Sequence, residues 1–241
     1  MDTMALSVEY FGLSHIGYVR KDNEDVWLKA AAKPFFALAD GMGGHQAGEV
    51  AASEAVRILC TEIERIKKIP ESEERAVHLL KEAVQKTNEQ VHRHSLEHAF
   101  LEGMGTTLVC LWLSEKKAYF AHVGDSRLYL YRKKLERLTH DHSLREEWLA
   151  KGHLPLPSKN ILTRAIGTNL EVEPDVGSLD IEPNDLFLLC SDGLTDSVCD
   201  EEIFTILKKG DDLQDTAQEL VEAALKKGGS DNITVFLIRS L

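Results

Sequence analysis

Short runs of aliphatic and aromatic residues, separated by polar and turn-forming segments, recur along the chain. Each run has the length and residue types typical of a β-strand. Eight such runs lie at residues 8–12, 26–30, 35–39, 107–113, 118–123, 127–131, 185–190 and 233–238. The chain is therefore expected to contain a substantial sheet.

Four other segments carry apolar residues at helical spacing with charged residues between them. They lie at residues 49–68, 73–97, 201–208 and 213–227. The resulting order is strands, two helices, strands, helices and a last strand. That order lacks the strict alternation of a doubly wound parallel sheet, so it favours an α+β fold in which layers of antiparallel strands carry helices outside.

The pattern weakens between residues 141 and 167. A short helical stretch at 143–151 runs into the sequence GHLPLPSKN, whose glycine and prolines interrupt regular structure. We predict a mobile surface flap at about 143–166. Otherwise the 241 residues are long enough to bury a full core, and we expect a single domain over 1–241.

The charge balance excludes several classes of partner. The 28 Lys and Arg residues against 40 Asp and Glu residues give a formal net charge of -12, which repels nucleic acid and anionic membrane surfaces.

No apolar stretch approaches the roughly 20 residues that span a bilayer, and the N-terminus lacks a secretory pattern. The four cysteines show no CxxC spacing. We expect a cytoplasmic protein with reduced thiols.

Four aspartates flank the apolar runs: Asp40, Asp125, Asp192 and Asp231. Ends of antiparallel strands collect along shared edges, so these carboxylates could converge on one site. Converging carboxylates repel one another unless a cation neutralises them, and an all-oxygen ligand set suits Mg²⁺ or Mn²⁺. The backbone carbonyl of Gly41 could join such a site. Taken singly, each Asp-Gly step is more typical of a solvated turn.

A mixed-charge segment, GYVRKDNED, lies between the first two predicted strands. Its Arg20 could grip a phosphate with two hydrogen bonds, and Glu24 and Asp25 could add ligands to the same metal cluster. As an isolated segment it would more often be a plain surface turn.

Together these segments resemble the metal-dependent protein phosphatase family, the type 2C serine/threonine phosphatases, in its short bacterial form. The matching stretches occur in family order from about residue 12 to 238. They are GYVRKDNEDVW, FFALADGMGGHQAGEVAASEAV, GMGTTLV, AHVGDSRLYLYR, LTHDHS, ILTRAIG, LFLLCSDGLTD and GGSDNITVFLI. The resemblance implies a central sandwich of two antiparallel β-sheets flanked on both sides by helix pairs, in four αββα layers.

The resemblance also implies a centre of two Mn²⁺ or Mg²⁺ ions at one end of the sandwich. By position in the motifs, Asp40 resembles the carboxylate that bridges the two metals, and Gly41 the residue that offers its backbone carbonyl. Asp192 and Asp231 resemble ligands of the first metal. Glu24 resembles a ligand of the second, directly or through water.

Further roles follow from the same motifs. Asp125, together with Asp192, matches the position where bacterial members hold a weaker third metal, and Arg20 matches the phosphate-binding arginine. The catalytic residues implied are thus Arg20 and Asp40, while Asp25 could orient metal-bound water. Three residues of the GMGTTLV stretch are expected to serve the strand and its packing: Gly105, Thr106 and Thr107.

The mechanism that the resemblance implies is direct attack on phosphorus by a water bridging the two metals. The serine or threonine alkoxide that leaves needs a proton. Animal members place a histidine two residues after the bridging aspartate, where this chain has Met42. His45 or a metal-bound water could take that role, and the sequence does not decide between them.

Two other functions stay open from the sequence. One is a non-catalytic regulator of the same fold that binds phosphoproteins, and the other is a phosphatase that prefers phosphotyrosine or a small phosphoester. The presence of all the metal carboxylates favours an enzyme over the first of these. The partners expected are phosphorylated proteins that are substrates of a serine/threonine kinase, and the chain is expected to be a monomer.

Overall fold

The structure is a computed structural model that describes residues 7–43, 46–70, 72–210 and 212–241. The strands and the helices are each numbered in chain order. The strands are β1 Val8–His15, β2 Asp25–Lys29, β3 Phe35–Met42, β4 Gly105–Thr106, β5 Leu108–Leu113, β6 Lys117–Val123, β7 Arg127–Tyr131, β8 Leu135–Arg137, β9 Asp175–Asp180, β10 Leu186–Cys190 and β11 Ile233–Ser240. The helices are α1 Gln46–Arg65, α2 Glu73–Glu97, α3 Leu144–Ala150, α4 Asp192–Thr195, α5 Asp200–Lys209 and α6 Leu213–Lys226.

The strands form two antiparallel sheets. One has the order β1-β11-β10-β7-β8, and the other has the order β2-β3-β5-β6-β9 with β4 paired to β3 at its end. All eight predicted strands and all four long predicted helices are present in the described chain.

Alternation along the strands explains why the sheets stack. In β3, Phe36 and Leu38 point into the layer between the sheets, whereas Phe35 and Ala37 point to the opposite face. In β10, Phe187 likewise points into the shared layer. Successive side chains of a strand alternate between faces, so strands apolar on both faces must be covered on both sides.

Helices supply the outer cover. The helices α1 and α2 pack on the sheet that contains β3, and α6 packs on the sheet that contains β11, with α5 against α6. The apolar layers on the two outer faces and the one between the sheets give four layers in the order αββα. The predicted α+β sandwich is confirmed.

Several predicted boundaries were wrong. Strand β3 continues to Met42, so Asp40 lies inside a strand and not at its end, and α1 spans Gln46–Arg65 where the prediction was 49–68. Strands β4, β8 and β9 were not predicted. Strand β9 reads DVGSLD with mostly half-exposed residues, because it lies at the edge of its sheet, and such a strand has no apolar run to reveal it.

The predicted flap region begins with α3, whose N-terminus is capped by the Ser143 hydroxyl accepting from the backbone N–H of Glu146 at 3.2 Å. The returning chain pairs at Leu162 with Ser143, and Ile166 pairs with Thr106 beside β3. The first pairing joins the start of the region to its returning part, and the second fixes its end to the sandwich. No helix in the described part of the chain combines the length and the apolar character needed to cross a bilayer.

Candidate metal and phosphate site

The layer between the sheets changes from apolar to polar at one end. Asp40 comes two residues after Leu38 and therefore lies on the same inner face of β3. The strand register places Asp25 of β2 directly opposite Asp40 of β3. On the other sheet, Ser191 follows β10 and its hydroxyl donates to Asp25 Oδ2 at 2.7 Å. The same alternation that builds the core thus delivers acidic and hydroxyl groups to its edge.

Further carboxylates reach the same edge. Glu24, Asp40, Asp125, Asp192 and Asp231 all line one cleft of about 430 Å³. These five carboxylates come from five separate places in the sequence, which is how antiparallel layers gather residues distant along the chain. The prediction that these five residues converge agrees with the structure.

Burial and mutual repulsion disfavour ionisation of these groups. Burial, and next the nearby Asp25, raise the pKa of Asp40 well above its usual range. Burial, and next the charge of Asp192, raise the pKa of Asp125 to about 7. For Asp192, burial and the charge of Asp231 raise the pKa to about 6. A cation bound among them would reverse this effect, because it favours the charged forms.

Arg20 forms an ion pair with a predicted metal ligand of the cleft. Its Nη2 donates to Asp231 Oδ2 at 2.6 Å, and its side chain is 49% exposed while that of Asp231 is 26% exposed. The guanidinium therefore lies at the mouth of the cleft with its charge directed at the carboxylates. An arginine held in this way presents its remaining donors to an entering phosphate.

Asn232 fixes the loop that carries Arg20 and Glu24, and the sequence analysis missed it. Its Nδ2 donates to the backbone carbonyls of Ile16 and Asp22, each at 3.0 Å, and its Oδ1 accepts from the Glu24 backbone N–H at 2.9 Å. The GGSDNITVF stretch contained it, but its partners are more than two hundred residues away in the chain.

Gly41 has no space for a side chain. A Cβ there would lie 2.2 Å from the carbonyl oxygen of Gly48, in the first turns of α1, and 2.9 Å from that of Glu24. A Cβ on Gly48 would in turn lie 2.5 Å from the Glu24 carboxylate. The two glycines let β3, α1 and the Glu24 loop meet closely, which keeps the Gly41 backbone near the cleft.

Thr106 and Thr107 hold the backbone of Asp40. The hydroxyl of Thr106 donates to the Asp40 carbonyl at 2.8 Å, and the Thr107 hydroxyl accepts from the Asp40 N–H at 2.9 Å. The Thr107 hydroxyl also bonds to that of Ser126 at 2.7 Å, in the turn that carries Asp125. These contacts are consistent with the packing role predicted for the two threonines, and they also position Asp40.

The donor set fits a divalent oxygen-seeking cation. Asp192 Oδ1 and Asp25 Oδ1 are buried and have no hydrogen-bond partner in the described chain, so each has an unused lone pair. The cleft's ligand candidates are all oxygens, which suits Mg²⁺ or Mn²⁺. Met42 lines the cleft and has no proton to donate, while His45 lies outside the described residues.

A histidine pair lies nearby on the inner face and was not predicted. His122 and His142 stack with ring centroids 4.3 Å apart, and the ligand atoms of these two rings and of Asp175 all lie within 4.8 Å of one another. Both histidines occur in motifs already noted, AHVGDSR and LTHDHS, but neither spacing nor residue type signals the contact.

A four-layer sandwich with an oxygen-lined acidic cleft and an arginine at its mouth defines a phosphate-processing, metal-using class of protein. A family model described as Protein phosphatase 2C matches residues 12–237. The chain belongs to the protein phosphatase 2C family and is an enzyme of that class, as the motifs predicted.

Relatives and solved structures agree over nearly the whole chain. A protein named serine/threonine phosphatase stp from Listeria welshimeri is 40% identical over 232 residues, 92% of each chain. The protein phosphatase PhpP of Streptococcus pneumoniae is 37% identical, over 94% of this chain and 95% of its own. The catalytic domain of the serine threonine protein phosphatase PstP, solved in complex with 2 manganese ions, superposes with a TM-score of 0.87 at 34% identity, covering 98% of this chain and 99% of that one.

Proposed function

We propose that the chain hydrolyses phosphoserine and phosphothreonine in proteins, using two Mn²⁺ or Mg²⁺ ions and a weaker third held by the carboxylates of the cleft. The observation that carries this proposal is the convergence of the acidic side chains with Arg20 on a single cleft. The names of the relatives support the amino-acid class of the substrate, and the manganese-bound neighbour supports the metal.

The residue roles we propose are those that the family motifs imply, and the convergence of these residues on one cleft supports them. Asp40, which lies opposite Asp25, would bridge two ions, with the Gly41 carbonyl as a further ligand. Asp192 and Asp231 would hold one ion and Glu24 the other, while Asp125 with Asp192 would hold the third. The bound metals would supply an acidified bridging water and positive charge for the phosphoryl oxygens.

Arg20 would orient the phosphate. Its bond to Asp231 holds the guanidinium at the edge of the ligand set, so a phosphate that it grips lies beside the metal ligands. The proton for the leaving alkoxide cannot come from Met42. His45 and a water held in the cleft are the two donors we propose.

Substrate choice beyond the phosphate would depend on the rim. Asn160 and Leu162 of the predicted flap line the same cleft as Arg20. We propose that this flap, residues 143–166, is mobile and contacts the substrate protein. The substrates would be phosphoproteins made by a serine/threonine kinase, acted on by a monomeric single-domain enzyme.

Turnover of a phosphothreonine peptide tests the proposal. Wild type, Asp192→Asn and the exposed-site control Asp215→Asn would each be assayed in EDTA and then with excess Mn²⁺. We expect Mn²⁺-dependent turnover in wild type and control, and a loss of at least about a hundredfold in Asp192→Asn.

A peptide panel separates the alternatives. Faster turnover of phosphotyrosine than of phosphoserine or phosphothreonine peptides would contradict the substrate class. A wild-type protein that binds phosphopeptides but hydrolyses none of them with Mn²⁺ or Mg²⁺ would support the non-catalytic regulator instead.

A further inference from the structure

The side chain of His142 contacts the turn that precedes Asp125. Its Nδ1 accepts a hydrogen bond from the backbone N–H of Gly124 at 3.2 Å. Its Nε2 lies 3.3 Å from Asp175 Oδ2, and the imidazole is 2% exposed. His142 thus lies between an aspartate on the edge strand β9 and the turn that presents a proposed metal ligand.

The hydrogen bond from Gly124 fixes the tautomer of His142. Because Nδ1 accepts from Gly124, the proton of the neutral ring lies on Nε2 and faces Asp175. Burial, and next the neighbouring His122, lower the pKa of His142 to about 4, so the ring is neutral at pH 7. A nitrogen that carries a proton does not bind a metal, so the cluster of His122, His142 and Asp175 is better explained as a support of the Gly124 turn than as a metal site.

The surroundings hold the His142 ring in place. His122 stacks on it, and His122 Nε2 in turn donates to the carbonyl of His140 at 2.8 Å. On the outer side, Asp175 Oδ1 accepts from Arg164 Nη1 at 2.6 Å. Arg164 is at the end of the predicted flap, so the chain of contacts runs from the flap through Asp175 and His142 to the Gly124 turn.

The turn at Gly124 is tightly packed and has no space for a side chain. Gly124 has a φ of +101°, and a Cβ there would lie 2.7 Å from the Thr107 side chain. The backbone of His142 adds two bonds: its N–H donates to the Gly124 carbonyl at 2.9 Å, and its carbonyl accepts from the Thr163 N–H at 2.8 Å. These backbone bonds survive substitution of the side chain, so the contribution of the imidazole can be tested separately.

We propose that His142, oriented by Asp175, is a positioning residue that fixes the Gly124–Asp125 turn so that Asp125 can bind its metal. This inference rests on the proposed function, because Asp125 is a metal ligand only within that proposal. His142 touches neither substrate nor metal and acts through the peptide of Gly124.

Two substitutions separate the two contacts of the ring, the hydrogen bond from Gly124 and the 3.3 Å approach of Nε2 to Asp175. In His142→Asn the amide oxygen stands near the position of Nδ1 and can still accept from Gly124. In His142→Gln the amide lies near the position of Nε2 and reaches Asp175, but the acceptor for Gly124 is lost. Both replace a buried ring by a smaller amide, so a merely structural role predicts similar losses of thermal stability and of metal affinity in the two variants.

Mn²⁺ titration of the metal-free proteins by calorimetry is the first readout. We expect His142→Gln to raise the dissociation constant of the weakest Mn²⁺ site roughly tenfold, and His142→Asn to raise it less than about threefold. Equal dissociation constants in the two variants, or values unchanged from wild type in both, would overturn the proposal.

Hydrogen exchange of the Gly124 amide is the second readout and does not depend on metal. We expect faster exchange in His142→Gln and nearly wild-type exchange in His142→Asn. If neither variant folds, Asp175→Ala on the half-exposed edge replaces them, with an expected rise in the weakest Mn²⁺ dissociation constant of roughly threefold, and an unchanged constant there would contradict the proposal.

The two proposals fail in different ways. Wild type without metal-dependent turnover would refute the proposed function, while the Gly124 exchange rates would still report on His142. Active wild type with identical Mn²⁺ binding in the Asn and Gln variants would refute only the positioning role.

Discussion

Asp25 and Asp40 lie directly opposite each other on the neighbouring antiparallel strands β2 and β3. Two carboxylates in such a pair repel, and the sandwich edge gives them little water to screen the repulsion. Burial, opposed by hydrogen bonds from Thr234 and Ser191, raises the pKa of Asp25 to about 7. The pair is explained if the site is built to hold cations.

Asp25→Asn is expected to stabilise the metal-free protein and to weaken metal binding. The amide removes one charge from the pair and can still accept from the Ser191 hydroxyl. At pH 8 we expect the free energy of unfolding in EDTA to rise by about 1–3 kcal/mol, and Mn²⁺ affinity to fall roughly tenfold or more. Urea unfolding with and without Mn²⁺ measures both. A metal-free variant less stable than wild type would contradict the repulsion.

Metal-free protein is expected to become more stable as the pH falls from 8 to 6.5. The folded-state pKa values of Asp25, Asp125 and Asp192 are raised to about 7, 7 and 6, so the folded state takes up protons in this window while the unfolded carboxylates, with pKa values near 4, do not. Their stabilising contribution is complete below about pH 4 and is lost as the pH rises through about 7.

The buried histidines set the lower limit of that window. Burial lowers the pKa of His122, and burial together with the charge of His122 lowers the pKa of His142. The folded protein therefore loses stability as the pH falls below about 6.5, where the same histidines become protonated in the unfolded state. Thermal melts in EDTA between pH 6.5 and 8 are the measurement. Saturating Mn²⁺ should abolish or reverse the slope, and a metal-free protein that is most stable at pH 8 would be inconsistent with the raised carboxyl pKa values.

Gly41→Ala is expected to damage the metal site as well as the fold. The added methyl group would lie 2.2 Å from the Gly48 carbonyl, so β3 or α1 must move. We expect a loss of about 1–3 kcal/mol in stability and of roughly tenfold or more in Mn²⁺ affinity. Gly152→Ala is the control, because Gly152 has a φ of +68° but open space around it. It should cost about 1 kcal/mol and leave Mn²⁺ affinity unchanged.

Arg20→Ala is expected to raise KM without weakening metal binding. The variant loses the phosphate contact, while Asp231 is released from its ion pair and stays available as a ligand. We expect KM for a phosphothreonine peptide to rise roughly tenfold to a hundredfold. Lys21→Ala, which removes another cation from the same cleft, should have a much smaller effect. Equal effects of the two substitutions would show that Arg20 contributes only nonspecific electrostatic attraction to the phosphate.

The layers of the fold were predictable because the core strands are apolar on both faces and the long helices carry apolar residues at helical spacing. Strand β9 was not predictable, because Gly177 at its centre has no side chain to contribute to an apolar pattern. Its backbone packs against the ring of Phe120, and a Cβ on Gly177 would lie 2.4 Å from that ring. Its place follows from pairing with β6, which no local pattern encodes.

The site was predictable to the level of which residues converge, because Asp40, Asp192 and Asp231 each flank an apolar run and match family motifs. The supporting contacts were not predictable. Asn232 bonds to Glu24 across 208 positions, and His142 bonds to Gly124 through a ring whose role depends on the tautomer. Such contacts are fixed by the packed fold and leave no spacing in the sequence.

Calorimetric titration of metal-free wild type and Asp192→Asn with Mn²⁺ tests the central claim most directly, because it measures the metal site apart from turnover. Asp192 has a buried oxygen without a partner in the described chain and would ligate two of the proposed ions. We expect wild type to bind at least two Mn²⁺ ions and Asp192→Asn to lose at least one of them. Wild type that binds no Mn²⁺, or a variant with unchanged stoichiometry and affinity, would contradict the account.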